Sequence, residues 1–265
     1  MKAWSYRGRW ALVTGASAGL GSEFARQLAA KRMSLVLSAR RADRLEALAA
    51  ELRGRDGIEV VIEPADLAAP GEPLRLWRRA SEGRRIDLLV NNAGFGAQGR
   101  FDEVPLDRLT EMVRVNCTAL MELAHAALGE MRAHGDGGVI NVASIAAFQP
   151  VPRIATYAAS KAFVLSLSEA LWGENRAAGV RVLALCPGRT PTEFQRVAGT
   201  GNPAGSWGER PPEAVVAAAL RALEEGKISV IPGVPNRIST LAGRLVPRSL
   251  LTGLLGRIVE RRAGQ

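Results

Sequence analysis

Short apolar runs recur along the chain, and between them the apolar positions switch to a helical spacing. Trp10–Thr14 (WALVT) precedes the glycine-rich GASAGLGS and then EFARQLAAKR, which reads as a helix. SLVLSA, Ser34 to Ala39, predicts a second strand, the helical RADRLEALAAELR follows, and IEVVIEPADL holds a third strand. A helix near Pro73 to Ala80 leads into IDLLVNNAG, a fourth strand whose end turns polar. Asp107 to about Arg132 reads as mostly helical, GGVINVAS as a fifth strand, and Arg153 to about Ala177 as a helix. GVRVLALCPG supplies a sixth strand, PPEAVVAAALRALEEG another helix and KISVIPG a short seventh strand.

Apolar strands of this kind are buried on both faces, and helices between them require crossover connections. A mainly parallel sheet covered on both sides follows. No linker, internal repeat or low-complexity tract divides the chain, so one doubly wound α/β domain is expected over residues 1–265.

Composition adds bounds. The 265 residues are 47% hydrophobic and 23% charged, as in soluble globular proteins. No run approaches the roughly 18 apolar residues of a membrane span, and MKAWSYRGRW lacks the apolar stretch of a secretion signal. Cys117 and Cys186 are too few for a disulfide framework and suit a reducing compartment, so a cytoplasmic location is expected. The net charge of +9 invites a nucleic-acid reading, but from Arg237 onward six arginines and one glutamate already give +5 of it. No zinc-ligand cluster, RNA-binding aromatic motif or long basic run accompanies that charge, and no nucleic-acid partner is expected.

Two sets of residues carry chemistry. The first is TGASAGLG, Thr14 to Gly21, between the first strand and first helix. Gly15 permits a tight turn, Gly19 a close backbone approach, and Gly21 close packing of helix on strand. The helix N-terminus then receives a pyrophosphate; the plainer alternative is a flexible helix cap. The lysine of an ATP-type phosphate loop is absent. The second strand ends Ser38, Ala39, Arg40, Arg41, with no acid to bond a ribose diol. Arg40 and Arg41 suit a 2′-phosphate and Ser38 can donate to it, although the arginines also read as a solvated helix start. NADP(H) is therefore expected in preference to NAD(H), with NAD(H) use left open.

The second set lies further along. NNAG, Asn91 to Gly94, follows the fourth strand at the edge where such sheets bind ligands. Asn116 falls inside a long helix, a costly place for a residue that competes for backbone hydrogen bonds. Ser144 ends the fifth strand, and Tyr157 and Lys161 are spaced to share one helix face. Each alone reads as a cap, turn or surface residue.

Together, TGxxxGxG from Thr14, NNAG from Asn91, Asn116, Ser144, YxxxK from Tyr157 to Lys161 and PGRTPT, Pro187 to Thr192, resemble the classical short-chain dehydrogenase/reductase family. The likeness covers about residues 8–233. Within the family the chain looks closest to uncharacterised bacterial oxidoreductases, which in turn resemble long-chain 3-oxoacyl reductases and hydroxysteroid dehydrogenases.

The resemblance implies a seven-stranded parallel sheet in the order 3-2-1-4-5-6-7 and a catalytic tetrad of Asn116, Ser144, Tyr157 and Lys161. Tyr157 exchanges the proton, with Lys161 and the oxidised nicotinamide favouring its phenolate; free tyrosine loses its proton only near pH 10. Ser144 orients the carbonyl, Lys161 binds the nicotinamide ribose and Asn116 holds a water. Cofactor contacts are implied for Gly15, Ser17, Gly19, Leu20, Gly21, Ser38, Arg40, Arg41, Asp66, Leu67, Asn92, Ala93, Gly94, Tyr157, Lys161, Pro187, Gly188, Thr190 and Thr192, with Asp66 beside adenine. No metal is implied. A homodimer or homotetramer is expected.

Phe95, Phe148 and Val151 are candidates for an apolar substrate wall beside Ser144 and Tyr157, with Gln149 as a polar contact, though all four also read as packing residues. The loop-rich 190–210, with GTGNP at Gly199 to Pro203, matches the family's substrate lid. The basic extension 236–265 carries Leu251, Leu254, Leu255 and Ile258 at helical spacing, with Arg257, Arg261 and Arg262 nearby. Packing on this subunit or a partner is expected there, with peripheral contact to an anionic membrane as the second reading.

The functional expectation is NADP(H)-dependent interconversion of a secondary alcohol and a carbonyl on a fairly apolar substrate. A non-catalytic NADP(H)-binding regulator and an epimerase working through a transient ketone are the alternatives.

Overall fold

In the computed structural model, β1 (Trp10–Thr14) pairs in parallel with both β2 (Ser34–Ser38) and β4 (Ile86–Asn91), which makes the first strand a central one. The structure describes residues 4–198, 208–245, 247 and 249–253. With β3 (Val60–Ile62), β5 (Gly137–Val142), β6 (Val180–Leu185) and β7 (Ser229–Val230), the sheet runs β3-β2-β1-β4-β5-β6-β7, all pairs parallel. This is the expected order. The strand order reverses between β1 and β4, so the carboxyl ends of those strands flank a crevice.

Alternation along the strands sends neighbouring side chains to opposite layers. Val13, Leu35, Leu37, Leu88 and Ile140 pack under α1 (Gly19–Ala30), α2 (Ala42–Asp56) and α8 (Pro212–Glu224) through Phe24, Leu28, Leu45, Leu52 and Leu220. Leu12, Val36, Leu89, Val139 and Val182 face the other way, against Leu76 and Trp77 of α3 (Glu72–Ser81) and Leu123 and Met131 of α5 (Leu120–His134). Burial on both sides is why these strands carry so few polar residues.

Four elements depart from the expected pattern. β2 stops at Ser38 and β7 has two residues. The long helix expected over 107–132 is α4 (Leu106–Val113), then a π-helical turn at Arg114–Ala119, then α5. A π turn admits an extra residue into the helix, and here it holds the fully buried Asn116. The tyrosine helix α6 spans Ala155–Asn175 and tightens into a 3-10 turn at Arg176–Ala178 before Gly179. Two further helices are α7 (Glu193–Ala198) and α9 (Val234–Leu245).

Of the lid expected at 190–210, GTGNP lies outside the described residues. So do Leu254, Leu255, Arg257, Ile258, Arg261 and Arg262 of the C-terminal extension. No helix among the described residues is long and apolar enough to cross a membrane.

Candidate active site

At the crevice, strand ends are tied to one another before any ligand is considered. Thr14 Oγ1 accepts from the amides of Asn92 (3.0 Å) and Ala93 (3.1 Å) and donates to the Val90 carbonyl (3.2 Å). Asn92 Nδ2 donates back to Thr14 O at 2.9 Å and Gly15 O at 3.3 Å. The glycine-rich turn is packed so closely that side chains have no room. Gly15 has φ +66°, and a Cβ there would stand 2.8 Å from Asn92 Nδ2. A Cβ on Gly21 would collide with the Gly15 carbonyl.

The chemical end is assembled from β5, the π turn and α6. Ser144 caps a 3-10 turn, Ile145–Phe148, its Oγ accepting from Ala146 N at 3.1 Å. That lone pair is engaged, so the hydroxyl proton is available to donate. Lys161 Nζ donates to Val142 O at 2.7 Å and sits 5.8 Å from the Tyr157 ring centroid. Asn116 Oδ1 accepts from Phe95 N (3.1 Å), while its Nδ2 donates to Phe95 O (3.0 Å) and Ser160 Oγ (3.0 Å). Ser160 Oγ in turn donates to Tyr157 O at 2.7 Å. Asn116 thus joins the turn after β4 to the tyrosine helix.

Burial holds the Tyr157 phenol up at about 12, against a smaller downward pull from the Ser144 hydroxyl. Burial also brings the Lys161 ammonium down to about 8, with Cys117 and Cys186 opposing it. Desolvation is the larger influence on both groups.

A cavity of about 530 Å³ joins the two ends. Its wall takes in Gly15, Ser17, Gly19, Leu20, Ser38, Arg40, Arg41, Asp66 and Leu67 at one end. Asn92, Ala93, Gly94, Ser144, Tyr157, Lys161, Pro187, Gly188, Thr190 and Thr192 contribute at the other. Gly21 and Asn116 stand behind the wall as supports. Of the substrate candidates, Phe95 lines the cavity and Phe148, Gln149 and Val151 do not. The 3-10 turn accounts for this: it presents Ile145 and Ala146 to the cavity, while Phe148 packs towards the cluster of Val164, Ala184 and Cys186.

Residues not anticipated from sequence complete the wall. Val115, Ile145, Ile154, Phe194 and Ala198 make the chemical end apolar, and Glu111 and Glu193 stand at the arginines. Arg40 Nη1 lies 3.3 Å from Glu111 Oε1, and Arg41 Nη1 lies 3.0 Å from Glu193 Oε2. The signal for Ile145 and Ile154 was their closeness in sequence to Ser144 and Tyr157; the two acids carried none.

The wall fits a dinucleotide. Ser38 Oγ is buried with no hydrogen-bond partner, a polar atom that needs a ligand or water to satisfy it. The glycines let the turn fold tightly against Asn92 and Ala93 at the start of α1, and two guanidinium groups stand beside it.

Comparison with known proteins agrees with this geometry. The family model described as short chain dehydrogenase matches residues 9–202. A very-long-chain 3-oxoacyl-CoA reductase of Pyrenophora tritici-repentis is 34% identical over 181 residues, covering 66% of this chain and 53% of that protein. The 7beta-hydroxysteroid dehydrogenase of Collinsella aerofaciens is 31% identical over 235 residues, covering 88% and 89%. The solved structure of a short-chain dehydrogenase from Sphingobium yanoikuyae in complex with NADPH aligns with a TM-score of 0.82 at 34% identity, covering 89% and 93%. The chain spans about half the length of several curated relatives it matches.

Proposed function

The chain belongs to the short-chain dehydrogenase family, and from that premise we propose an NADP(H)-dependent oxidoreductase that interconverts a secondary alcohol and a carbonyl. One observation carries the reading: Ser144, Tyr157 and Lys161 meet in the wall of the same cavity that ends at the glycine-rich turn and two arginines. The glycine-rich turn, Ser38, Arg40 and Arg41 would hold the phosphates, with Asp66 and Leu67 beside the adenine. Asn92 to Gly94 and Pro187 to Thr192 would hold the nicotinamide half. The bound cofactor supplies or accepts the hydride.

The protein's own residues manage the proton and the developing charge. Ser144 donates its hydroxyl proton to the substrate oxygen and stabilises negative charge there. Tyr157 gives its phenolic proton to the same oxygen in reduction and recovers it in oxidation. Lys161, within reach of the ring, makes that proton easier to release. The side chain of Asn116 is engaged at both ends, which adds a positioning role to the water-holding role expected of it.

Phe95, Val115, Ile145, Ile154 and Phe194 support a bulky apolar substrate. The similarity to a 3-oxoacyl-CoA reductase and a hydroxysteroid dehydrogenase points the same way. A lid over 190–210, a cytoplasmic location and a homo-oligomeric assembly belong to the same proposal.

The test is a panel of 3-oxoacyl thioesters, keto-steroids and bulky ketones, each with NADPH and NADH, following cofactor absorbance and identifying products. Turnover of an apolar ketone with NADPH is expected. Tight cofactor binding with no turnover across the panel would instead support the non-catalytic reading.

A further inference from the structure

The cations at the phosphate end already hold an anion, and it is a side chain of this protein. Glu193 opens α7, and its Oε2 lies 3.0 Å from Arg41 Nη1. Both of its oxygens lie 2.9 Å from Arg44 Nη1. Arg41 is fixed from the other side by Ser17, whose Oγ accepts from Nε at 3.2 Å and Nη2 at 3.0 Å. The carboxylate therefore fills the bay between the glycine-rich turn and the start of α2. Two guanidinium groups hold its pKa down at about 2, so it stays an anion across the working pH range.

The same short segment reaches the chemical end. Thr192 packs over Gly19, its Cβ 3.1 Å from where a Cβ on that glycine would stand. The Phe194 ring lies 5.5 Å from the Tyr157 ring, tilted at 52°. Three consecutive residues thus span the cavity from its arginines to its tyrosine.

A fold-stabilising brace is a weak account of the cluster. Arg41, Glu193 and Arg44 side chains are 41%, 32% and 42% exposed, and ion pairs this wet contribute little to stability. An acid held between Arg41, in the cavity wall, and Arg44, in the first turn of α2, acts mainly on which anions enter. A phosphate and a carboxylate use the same paired geometry with a guanidinium, and two anions at one site repel each other.

Resting on the cofactor reading above, we propose that Glu193 is an internal competitor for the 2′-phosphate of NADP(H) at Arg41 and Arg44. It sets the preference between phosphorylated and unphosphorylated cofactor. An incoming 2′-phosphate displaces the carboxylate and frees the start of α7 from the phosphate end. A cofactor without that phosphate leaves Glu193 in place.

The experiment is calorimetric titration of NADPH and NADH into wild type and Glu193→Gln, at one salt concentration, with melting temperatures as the check on folding. Adenosine 2′,5′-bisphosphate and adenosine 5′-monophosphate serve as smaller probes of the same contrast. Glu193→Gln should tighten NADPH and the bisphosphate by about two- to fivefold, the range of an exposed ion pair. NADH and the monophosphate should stay within about twofold. Unchanged or weakened NADPH binding by Glu193→Gln would overturn the competitor role while leaving the cofactor reading intact. Equal tightening of both cofactors would also overturn it, since the effect would then not belong to the phosphate. Binding of neither dinucleotide by wild type would overturn the cofactor reading itself.

Discussion

At the scale of single residues, the protonation states set the expected behaviour. With Tyr157 held at about 12, the phenol enters reduction already protonated. Tyr157→Phe removes only that hydroxyl, so packing and NADPH affinity should survive while turnover falls by about 10²–10⁴-fold. Folded Tyr157→Phe with near wild-type kcat would refute the assignment. Ser144→Ala should lower kcat with KM little changed, because it deletes a donor used as charge develops. Lys161 gives a pH signature. Its ammonium is brought down to about 8 by burial, and cofactor binding recruits the protonated form. NADPH affinity should therefore weaken as pH rises through about 8, and Lys161→Met should bind more weakly with that slope abolished. An unchanged slope in Lys161→Met would assign the titration elsewhere. As candidates, Tyr157 and Lys161 were legible through their fixed spacing, and Ser144 through its place at the end of the fifth strand. Glu193 was not: it falls inside the stretch read as loop-rich, and its partners Arg41 and Arg44 lie 152 and 149 positions away. Nothing local announces such a pair.

At the scale of elements, the strands were legible because burial on both faces removes polar residues from them, while their order came only from the resemblance to the family. The π turn was not legible, since its residues also suit an α-helix and only the placement of Asn116 separates the two. That asparagine bonds both the N–H and the C=O of Phe95. Asn116→Ala leaves buried backbone groups unpaired and should cost about 1–3 kcal/mol in denaturant unfolding. The place of Phe148, Gln149 and Val151 outside the cavity wall has a similar origin: a 3-10 turn after Ser144 decides which side chains face the cavity, and FQPVP carries no mark of it. The glycine-rich turn makes the sharper test. A methyl at residue 21 meets the Gly15 carbonyl, which is backbone and cannot rotate aside. Gly21→Ala should destabilise the fold by about 1–3 kcal/mol and weaken both dinucleotides alike. A Gly21→Ala protein with wild-type stability and affinity would mean that the turn yields more easily than its packing indicates.

At the scale of the whole molecule, exposed apolar side chains fall on more than one surface. Val234, Ile238 and Leu241 of α9 are 62%, 57% and 60% exposed, and a second set lies on the α4–α5 rod and on α6. Leu106, Val113 and Met121 are 75%, 42% and 43% exposed, and Phe163 of α6, which packs beside α4 and the π turn, is 39% exposed. Leu106, Val113 and Met121 repeat at intervals that keep them on one side of the rod. Scattered single apolar residues would call for no explanation, but a stripe across two packed helices suits a second copy of the same surface. A two-fold contact would bring rod against rod and α6 against α6, doubling every apolar contact made by one copy. Light scattering should therefore give two or four chains per particle. Val113→Glu with Met121→Glu places like charges across that contact and should shift the mass toward a single chain. Because both positions lie outside the cavity wall, NADPH affinity should change little in the dissociated protein. A wild-type particle of one chain would remove this face as an assembly surface. An unchanged mass in the double variant would move the contact to another part of the molecule.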